Sequence, residues 1–559
     1  MIFSFCLFAT LHSCTNLIVT KKASKEGYNS FTYSADAFSM YGNLQVTPEA
    51  DHAEGEMRDI IDWCSGKKLG EIPQVAHTYR VVGNMNEKGL AIGETTWNGR
   101  TTETHNPDGI MDYGSLIYVA LERCSTAREA YQLVIDLAEK YGYHDYGETF
   151  TIADKNEIWL LDLIGRGPNK KGILWIATLI PDGMIAEHSN HPRTHSPYKM
   201  KQAGATIFWR DSLVEDCKEL GFISADVTIE TFDWVLAVHG DVPQRRRYGD
   251  GRTVDFFHRT VSETDLGSDF TEYLAGSKEA APPNLFYKPT APLSLADLMS
   301  YMSLHFEDHN LSPVNDIGAG PFHSPYRSPP FNWYYENQQY VNERNIATPQ
   351  TTWVMIAQCR GDLPAALGGV VWFGMDDASM AVYVPFFSTS RDVHDCYKET
   401  DKQNSQTFSF NSLFWVSNMI SNFVQQNYVY MIDEVRQWRD QQQQRVISDF
   451  EQTLSTALSL AKRDEIVAKE FVTQKTILWG GQMLKESLDY YKVLFPRFAA
   501  GYRMTPIPGK PLPRVEWLPY QNKWYERIVK ETGDKYIVKE DATSNGGAGG
   551  DPLRQLRYV

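Results

Sequence analysis

The sequence predicts an α+β protein, a strand-rich body followed by a helical region, and three observations carry that prediction. Short apolar runs bounded by turn-forming residues recur up to about residue 190 and again over 341–390. One long stretch among them, 127–141, has helical periodicity. From about residue 405 the apolar residues fall at three- and four-residue steps. At 559 residues the chain exceeds what one ordinary core supports, so one large domain with appendages and two domains are both expected.

The first strand pair is read from Leu17-Ile18-Val19 and Phe31-Thr32-Tyr33, with Lys25-Glu26-Gly27 as the turn between them. In HTYRVVGNMNEKGLAIGETT, Asn86-Glu87-Lys88-Gly89 reads as a turn between two apolar strands. Thr126 with Glu129 three residues later forms a capping box, which starts a helix over 127–141 that Gly142 stops. TFTIADKNEIWLLDLIG alternates like a hairpin around Asp154-Lys155-Asn156-Glu157, and GILWIATLIPDGMIAEHSN supplies two further strands. Strand character returns in NIATPQTTWVMIAQ, GGVVWFGMDD and MAVYVPFF. Beyond it, Ile432, Val435, Trp438, Val446, Phe450 and Leu454 keep helical steps around a polar face that includes Gln441 to Gln444. The divisions expected are thus a body over 14–404, a helical region over 405–500 packed on it, and an extended segment over 501–559 with a flexible, glycine-rich tail.

Lys and Arg number 54 against 70 Asp and Glu, and the net charge of −16 favours solubility and argues against broad nucleic-acid binding. No run reaches the roughly 18 apolar residues that a membrane helix needs, so stable membrane insertion is not expected. Residues 1–13 instead carry an apolar segment, Ile2 to Leu11, of signal-peptide length, with the small residue Ser13 just before Cys14. A removable signal peptide or propeptide is expected there, although no Lys or Arg precedes the apolar segment. The seven cysteines include no CxxC pair, which sets aside zinc-ribbon and thioredoxin-like chemistry.

Cys14 lies directly behind that segment and directly ahead of strand-like sequence, and three readings are open. It is a buried core thiol, a lipid-anchor site, or the first residue of a processed chain. Leu11-His12-Ser13-Cys14 partly resembles a lipobox, but His12 fits that motif poorly and no linker follows. A cut after Ser13 would give Cys14 a free α-amine with a pKa of about 7.7–8.0, a general base attached to the same residue as the nucleophilic thiol.

Taken together, CTNLIVTKKAS, YSADA, VVGNMNEKGLAIGETT, ALERCSTAREAYQLVIDLAEKYG, FTIADKNEIWLLDL, IPDGMIAEHSNHPR and GGVVWFGMDDASMAVYVP resemble the C69 family of cysteine dipeptidases, relatives of secernins and, more distantly, of penicillin V acylases and bile-salt hydrolases. The resemblance runs in order from Cys14 to about residue 400. It implies an N-terminal-nucleophile hydrolase, a four-layer αββα sandwich with the catalytic cysteine opening a central strand. Cys14 matches the family nucleophile. The resemblance further implies that Asp36 holds the cysteine amine, that the Asn190 amide helps form an oxyanion hole, and that Thr96 lies where relatives supply another oxyanion donor. Tyr33 stands where the acylase relatives carry an arginine, which weakens the penicillin and bile-salt readings.

Arg344 is a candidate to bind a substrate carboxylate bidentately. The cluster His188, His191 and His195 lacks an HExxH arrangement and is interrupted by Pro192, so structural histidines are expected rather than zinc ligands. No P-loop is present, and a cofactor-free enzyme without metal is expected. The function expected is hydrolysis of short peptides in a secreted, vacuolar, lysosomal or periplasmic setting, with oligomeric state left open. The rival readings are an amidase acting on N-acyl substrates, which needs an apolar acyl pocket, and a lipid-anchored binding protein.

Overall fold

The computed structural model describes residues 13–37, 39–329 and 331–539. The apolar segment read as a leader and the tail beyond 539 lie outside the described residues. Two antiparallel sheets form the body. The first has seven strands and is centred on β1 (Ser13–Val19) and β2 (Asn29–Asp36). The second has eight and includes β3 (Ala91–Asn98), β4 (Gly147–Ala153), β5 (Ile158–Gly165) and β6 (Ile173–Leu179). β7 (Ile185–His188), β8 (Thr351–Cys359), β9 (Gly369–Met375) and β10 (Val384–Phe387) complete the main part of the first sheet.

Turn chemistry accounts for the local reversals. Gly27 takes φ +79° between β1 and β2, which pair with Ile18 opposite Phe31. The turn at 86–89 closes with the Gly89 N–H donating to the Asn86 carbonyl, ahead of β3. The two strands expected from 172–190 are present, but they belong to different sheets: β6 pairs with β5, whereas β7 pairs with β1. The chain therefore crosses between sheets at Pro181-Asp182-Gly183. Strand structure in the 345–358 stretch begins only at Thr351.

The sheets meet face to face along β1 and β3. Asn16 donates from Nδ2 to the Glu94 carbonyl across 2.9 Å. A Cβ on Gly93 would come within 2.6 Å of Asn16 Oδ1 and 2.7 Å of the Phe31 ring, so the contact depends on glycine. Helices α1 (Tyr113–Arg123) and α2 (Ala127–Tyr141) share a core with Phe150, Ile152, Trp159 and Leu161 of the second sheet. The Thr126 capping box opens α2 and Gly142, at φ +79°, ends it. Helix α3 (Gly251–Thr260) is packed beside β7.

The C-terminal region forms α4 (Leu413–Gln425), α5 (Tyr428–Ala461) and α6 (Glu465–Phe498). Val446 and Phe450 of α5 and Val472, Trp479 and Met483 of α6 join the same apolar core as Trp372, Phe386 and Phe387 of the first sheet. The Phe450 ring lies 4.9 Å from Trp372 and 5.6 Å from Phe387. Trp438 and Leu454, at the same helical steps, are only partly buried against it. Residues 501–539, expected to be extended, instead form a hairpin of Tyr502–Thr505 with Arg514–Trp517 and a helix over Asn522–Thr532. Tyr430 of α5 anchors this piece by donating to the Pro519 carbonyl.

Because Phe450 fills the junction between α5 and the sheet, Phe450→Ala should cost about 3–5 kcal/mol. Urea unfolding followed by fluorescence should show body and helices losing stability together. Loss confined to an early, separate helical transition would contradict this packing.

Candidate active site around Cys14

Cys14 is the second residue of β1, opposite Ala35 of β2, and is 3% exposed. Its backbone N–H donates to Asn190 Oδ1 at 3.0 Å, and its thiol lies 3.5 Å from Glu94 Oε1. Burial lifts the thiol pKa well above that of a free cysteine, and the charges of Glu94 and Asp36 push it further up, while the Asp36 backbone N–H pulls it down. The resting group is a protonated thiol.

Asn190 follows β7 and takes the left-handed conformation, φ +58°, which asparagine tolerates better than most residues. Its Oδ1 also accepts from Arg252 Nη2 at 2.8 Å, and its Nδ2 donates to the Thr96 carbonyl at 2.6 Å. Those partners orient the amide unambiguously: two donors on its oxygen, an acceptor on its nitrogen. Thr96 in turn donates its hydroxyl to Glu148 at 2.7 Å. Thr96 is thus brought to the site, but as a support for Asn190 and Glu148.

Arg252, near the start of α3, is fully buried. Its N–H groups reach the Tyr248 carbonyl, the Cys14 carbonyl, Thr15 Oγ1, the Ser189 carbonyl and Asn190 Oδ1, all between 2.8 and 3.2 Å. Burial, and then the neighbouring Arg344 guanidinium, bring its pKa down to about 9, which leaves it charged at neutral pH. The Tyr248 ring has Arg252 at 5.6 Å and Arg344 at 5.5 Å, and so lies against both guanidiniums.

Asp36, at the end of β2, is fully buried and accepts from Arg344 Nη2 at 2.5 Å, Thr351 at 2.7 Å and Ser34 at 3.1 Å. Arg344, expected to meet a substrate carboxylate, is instead 2% exposed and committed to Asp36. The histidines take separate partners. His188 bonds the hydroxyls of Thr95 and Thr151, His191 pairs with Asp250 at 2.9 Å, and His195 pairs with Asp233 at 3.0 Å.

A pocket whose lining includes Cys14 opens on the thiol. Asp36, Glu94, Tyr33, Trp63, Tyr113 and Trp353 are among its walls. Tyr33 donates to Glu94 Oε1 at 2.5 Å and stands edge-on to Trp353 at 4.8 Å. Sequence reasoning missed Glu94 and Arg252. A glutamate inside the apolar run LAIGETTW was the available signal for the first, whereas the run RRRYGDGR concealed the second as ordinary surface charge.

The two sheets, the Cys14 thiol and the pocket of carboxyl and aromatic groups that leads to it all lie within a stretch that matches a family of peptidases, which makes the chain a hydrolase. The chain belongs to peptidase family C69, whose match spans residues 13–441. It is similar to a probable dipeptidase of Latilactobacillus sakei, 20% identical over 83% of this chain and 90% of that protein. It is likewise similar to a probable dipeptidase of Salmonella dublin, 24% identical over 68% of this chain and 82% of that protein. Dipeptidase A of Lactobacillus helveticus is 22% identical over 74% of this chain and 82% of its own length.

His188 joins the sheets through β7, β3 and β4, and burial, with Arg193 and Arg252 nearby, lowers its pKa to about 3. An unfolded histidine titrates near 6.5, so this ring costs no stability above that pH and destabilises the fold as pH drops below it, by up to ~1.4 kcal/mol per unit. Urea midpoints from pH 7 to 4.5 should fall less steeply in His188→Gln than in the parent. Parallel curves would show that His188 is protonated in the fold.

Proposed function

We propose that the chain is a cysteine dipeptidase that cleaves short peptides through the Cys14 thiol after removal of residues 1–13. The observation carrying this reading is the Cys14 backbone nitrogen, held 3.0 Å from Asn190 Oδ1 at the start of a central strand whose thiol faces the pocket. The names of the similar proteins and a family match beginning at residue 13 support it. In this reading the paired sheets with helices on their outer faces are the four-layer αββα sandwich of N-terminal-nucleophile hydrolases.

The steps balance within Cys14 and the substrate. The neutral α-amine accepts the thiol proton as sulfur attacks the scissile carbonyl carbon, forming the C–S bond and moving an electron pair onto oxygen. Collapse of that intermediate breaks the C–N bond, the ammonium returns the proton to the departing amine, and a thioester remains. Water, deprotonated by the same amine, then attacks the thioester carbon, the C–S bond breaks, the ammonium returns its proton to the departing sulfur and the acid is released, which restores the thiol and the neutral amine. Arg252 shares Asn190 Oδ1 with the Cys14 nitrogen, and its positive charge favours the neutral amine that a base must be. Asp36, neutralised by Arg344, steadies the end of β2 opposite the nucleophile, and Asn190 orients the base and serves the oxyanion.

Two observations weigh against the rivals. The carboxyls of Asp36 and Glu94 line the pocket that an amidase would need for an apolar acyl chain. A diacylglyceryl thioether would have to occupy the interior, since Cys14 is buried. On this reading Ile2 to Leu11 directs the chain to a secreted, vacuolar, lysosomal or periplasmic location.

A chain beginning at Cys14 should hydrolyse dipeptides, and the chain beginning at Met1 should be nearly inactive. Intact-mass analysis coupled to an assay checks this, and full activity in a species that retains residues 1–13 refutes it. Cys14→Ala should abolish turnover, Cys14→Ser should leave at most a trace, and Asn190→Ala should lower kcat by about 10²–10³.

A further inference from the structure

Glu94 has no part in the proton transfers above, yet its carboxyl lies 3.5 Å from the reactive sulfur. It is buried in the wall of the pocket. The two guanidiniums of the site are engaged elsewhere, Arg344 on Asp36 and Arg252 on Asn190 and backbone carbonyls. Among the described residues no lysine, arginine or histidine forms an ion pair with Glu94, whose Oε1 takes the Tyr33 hydroxyl and the thiol. Its carboxyl also faces that of Glu148, and Glu148 and the Thr96 hydroxyl are its remaining polar neighbours.

Resting on the reading of Cys14 as the nucleophile, we infer that Glu94 is the specificity-determining residue that binds the free α-ammonium of the substrate's N-terminal residue. Bond lengths are compatible with this geometry. In an amino acid the α-nitrogen lies about 2.5 Å from the carbonyl carbon. Sulfur must approach that carbon to about 3–3.5 Å, and an ammonium–carboxylate bond spans about 2.7–2.9 Å. A carboxylate oxygen 3.5 Å from sulfur closes this ring of sulfur, carbon, nitrogen and oxygen. An acyl group without an amine, or with an acetylated one, leaves the carboxylate buried without a cation, which is costly in so enclosed a place.

The second carboxyl fits the same role. Glu94 and Glu148 face each other, both buried, so ionising the two together is costly. Burial raises both carboxyls, and it raises Glu148 far above the ordinary carboxylate range with the Glu94 charge adding to it, so the proton that the pair shares sits on Glu148. The aromatic walls Tyr33, Tyr113, Trp63 and Trp353 suit a cation as well. Because the Glu94 charge helps keep the thiol protonated, an arriving ammonium also removes part of what restrains the nucleophile.

The test compares alanyl-alanine with propanoyl-alanine, its analogue lacking only the amine, on the processed enzyme. The parent should prefer alanyl-alanine in kcat/KM by at least about 10²-fold. Glu94→Gln should shrink that preference to within about tenfold, and Glu94→Asp, which keeps the charge but withdraws it by one methylene, should reduce it by about tenfold. A purely structural role would lower both substrates together and leave their ratio intact. If Glu94→Gln fails to fold, the aspartate variant decides. An undiminished ratio in the folded variants, or a parent ratio near one, overturns this inference while the peptidase reading stands. Failure of the processed enzyme to cleave either compound overturns both.

Discussion

The site depends first on the Arg252 guanidinium. Its five N–H bonds gather the start of β1, the loop after β7 and the turn before α3 around one buried cation. The five acceptors are oxygens on three separate structural pieces, so the bonds act as a spatial reference for Cys14 and Asn190 rather than as a local tie. A lysine, with three donors on a point charge, has neither the reach nor the planar fork for this task. Asn190 needs this support, since its left-handed backbone brings its amide between Cys14 and Thr96, and both ends must be held for the amide to keep one orientation.

Buried charge is treated in two different ways within a few ångströms. Asp36 is neutralised outright, by Arg344 and two hydroxyls. Glu94 is neutralised only in part, by a tyrosine hydroxyl and a protonated neighbour. The first arrangement suits a permanent support, because removing either partner would leave an uncompensated ion inside the protein. The second leaves a negative potential at the bottom of a pocket, where a cation from solution can complete it.

Much of the fold was legible because it is encoded locally. The Thr126–Glu129 box, the glycines at 27, 89 and 142 and the Asp154–Glu157 turn each specify a reversal or a helix end within four residues. Such signals cannot say which sheet a strand joins. Pro181-Asp182-Gly183 announces a turn, but only burial of β7 beside β1 decides that the chain changes sheets there. The hairpin after residue 501 is hard to read from sequence because its strands are only four residues long, one half-buried and the other exposed, so the alternation in each is too short to stand out. At the site, Cys14 was legible from its place behind the leader-like segment, whereas Glu94 and Arg252 meet it from 80 and 238 residues away. Arg344 could be read as a carboxylate binder, but not that its carboxylate would be Asp36.

The close approach at Gly93 has a meaning of its own. The spacing of the two sheets at the nucleophile is set there by a hydrogen atom, since any side chain would strike Asn16 and Phe31. Asn16 is itself bonded to the Glu94 carbonyl, so displacing it shifts β1 against β3 and moves the sulfur relative to the carboxyl. In a saturation-mutagenesis map of activity, position 93 would therefore cluster with the reactive residues although it contributes no functional group, and genetics would read as chemistry what is in fact clearance.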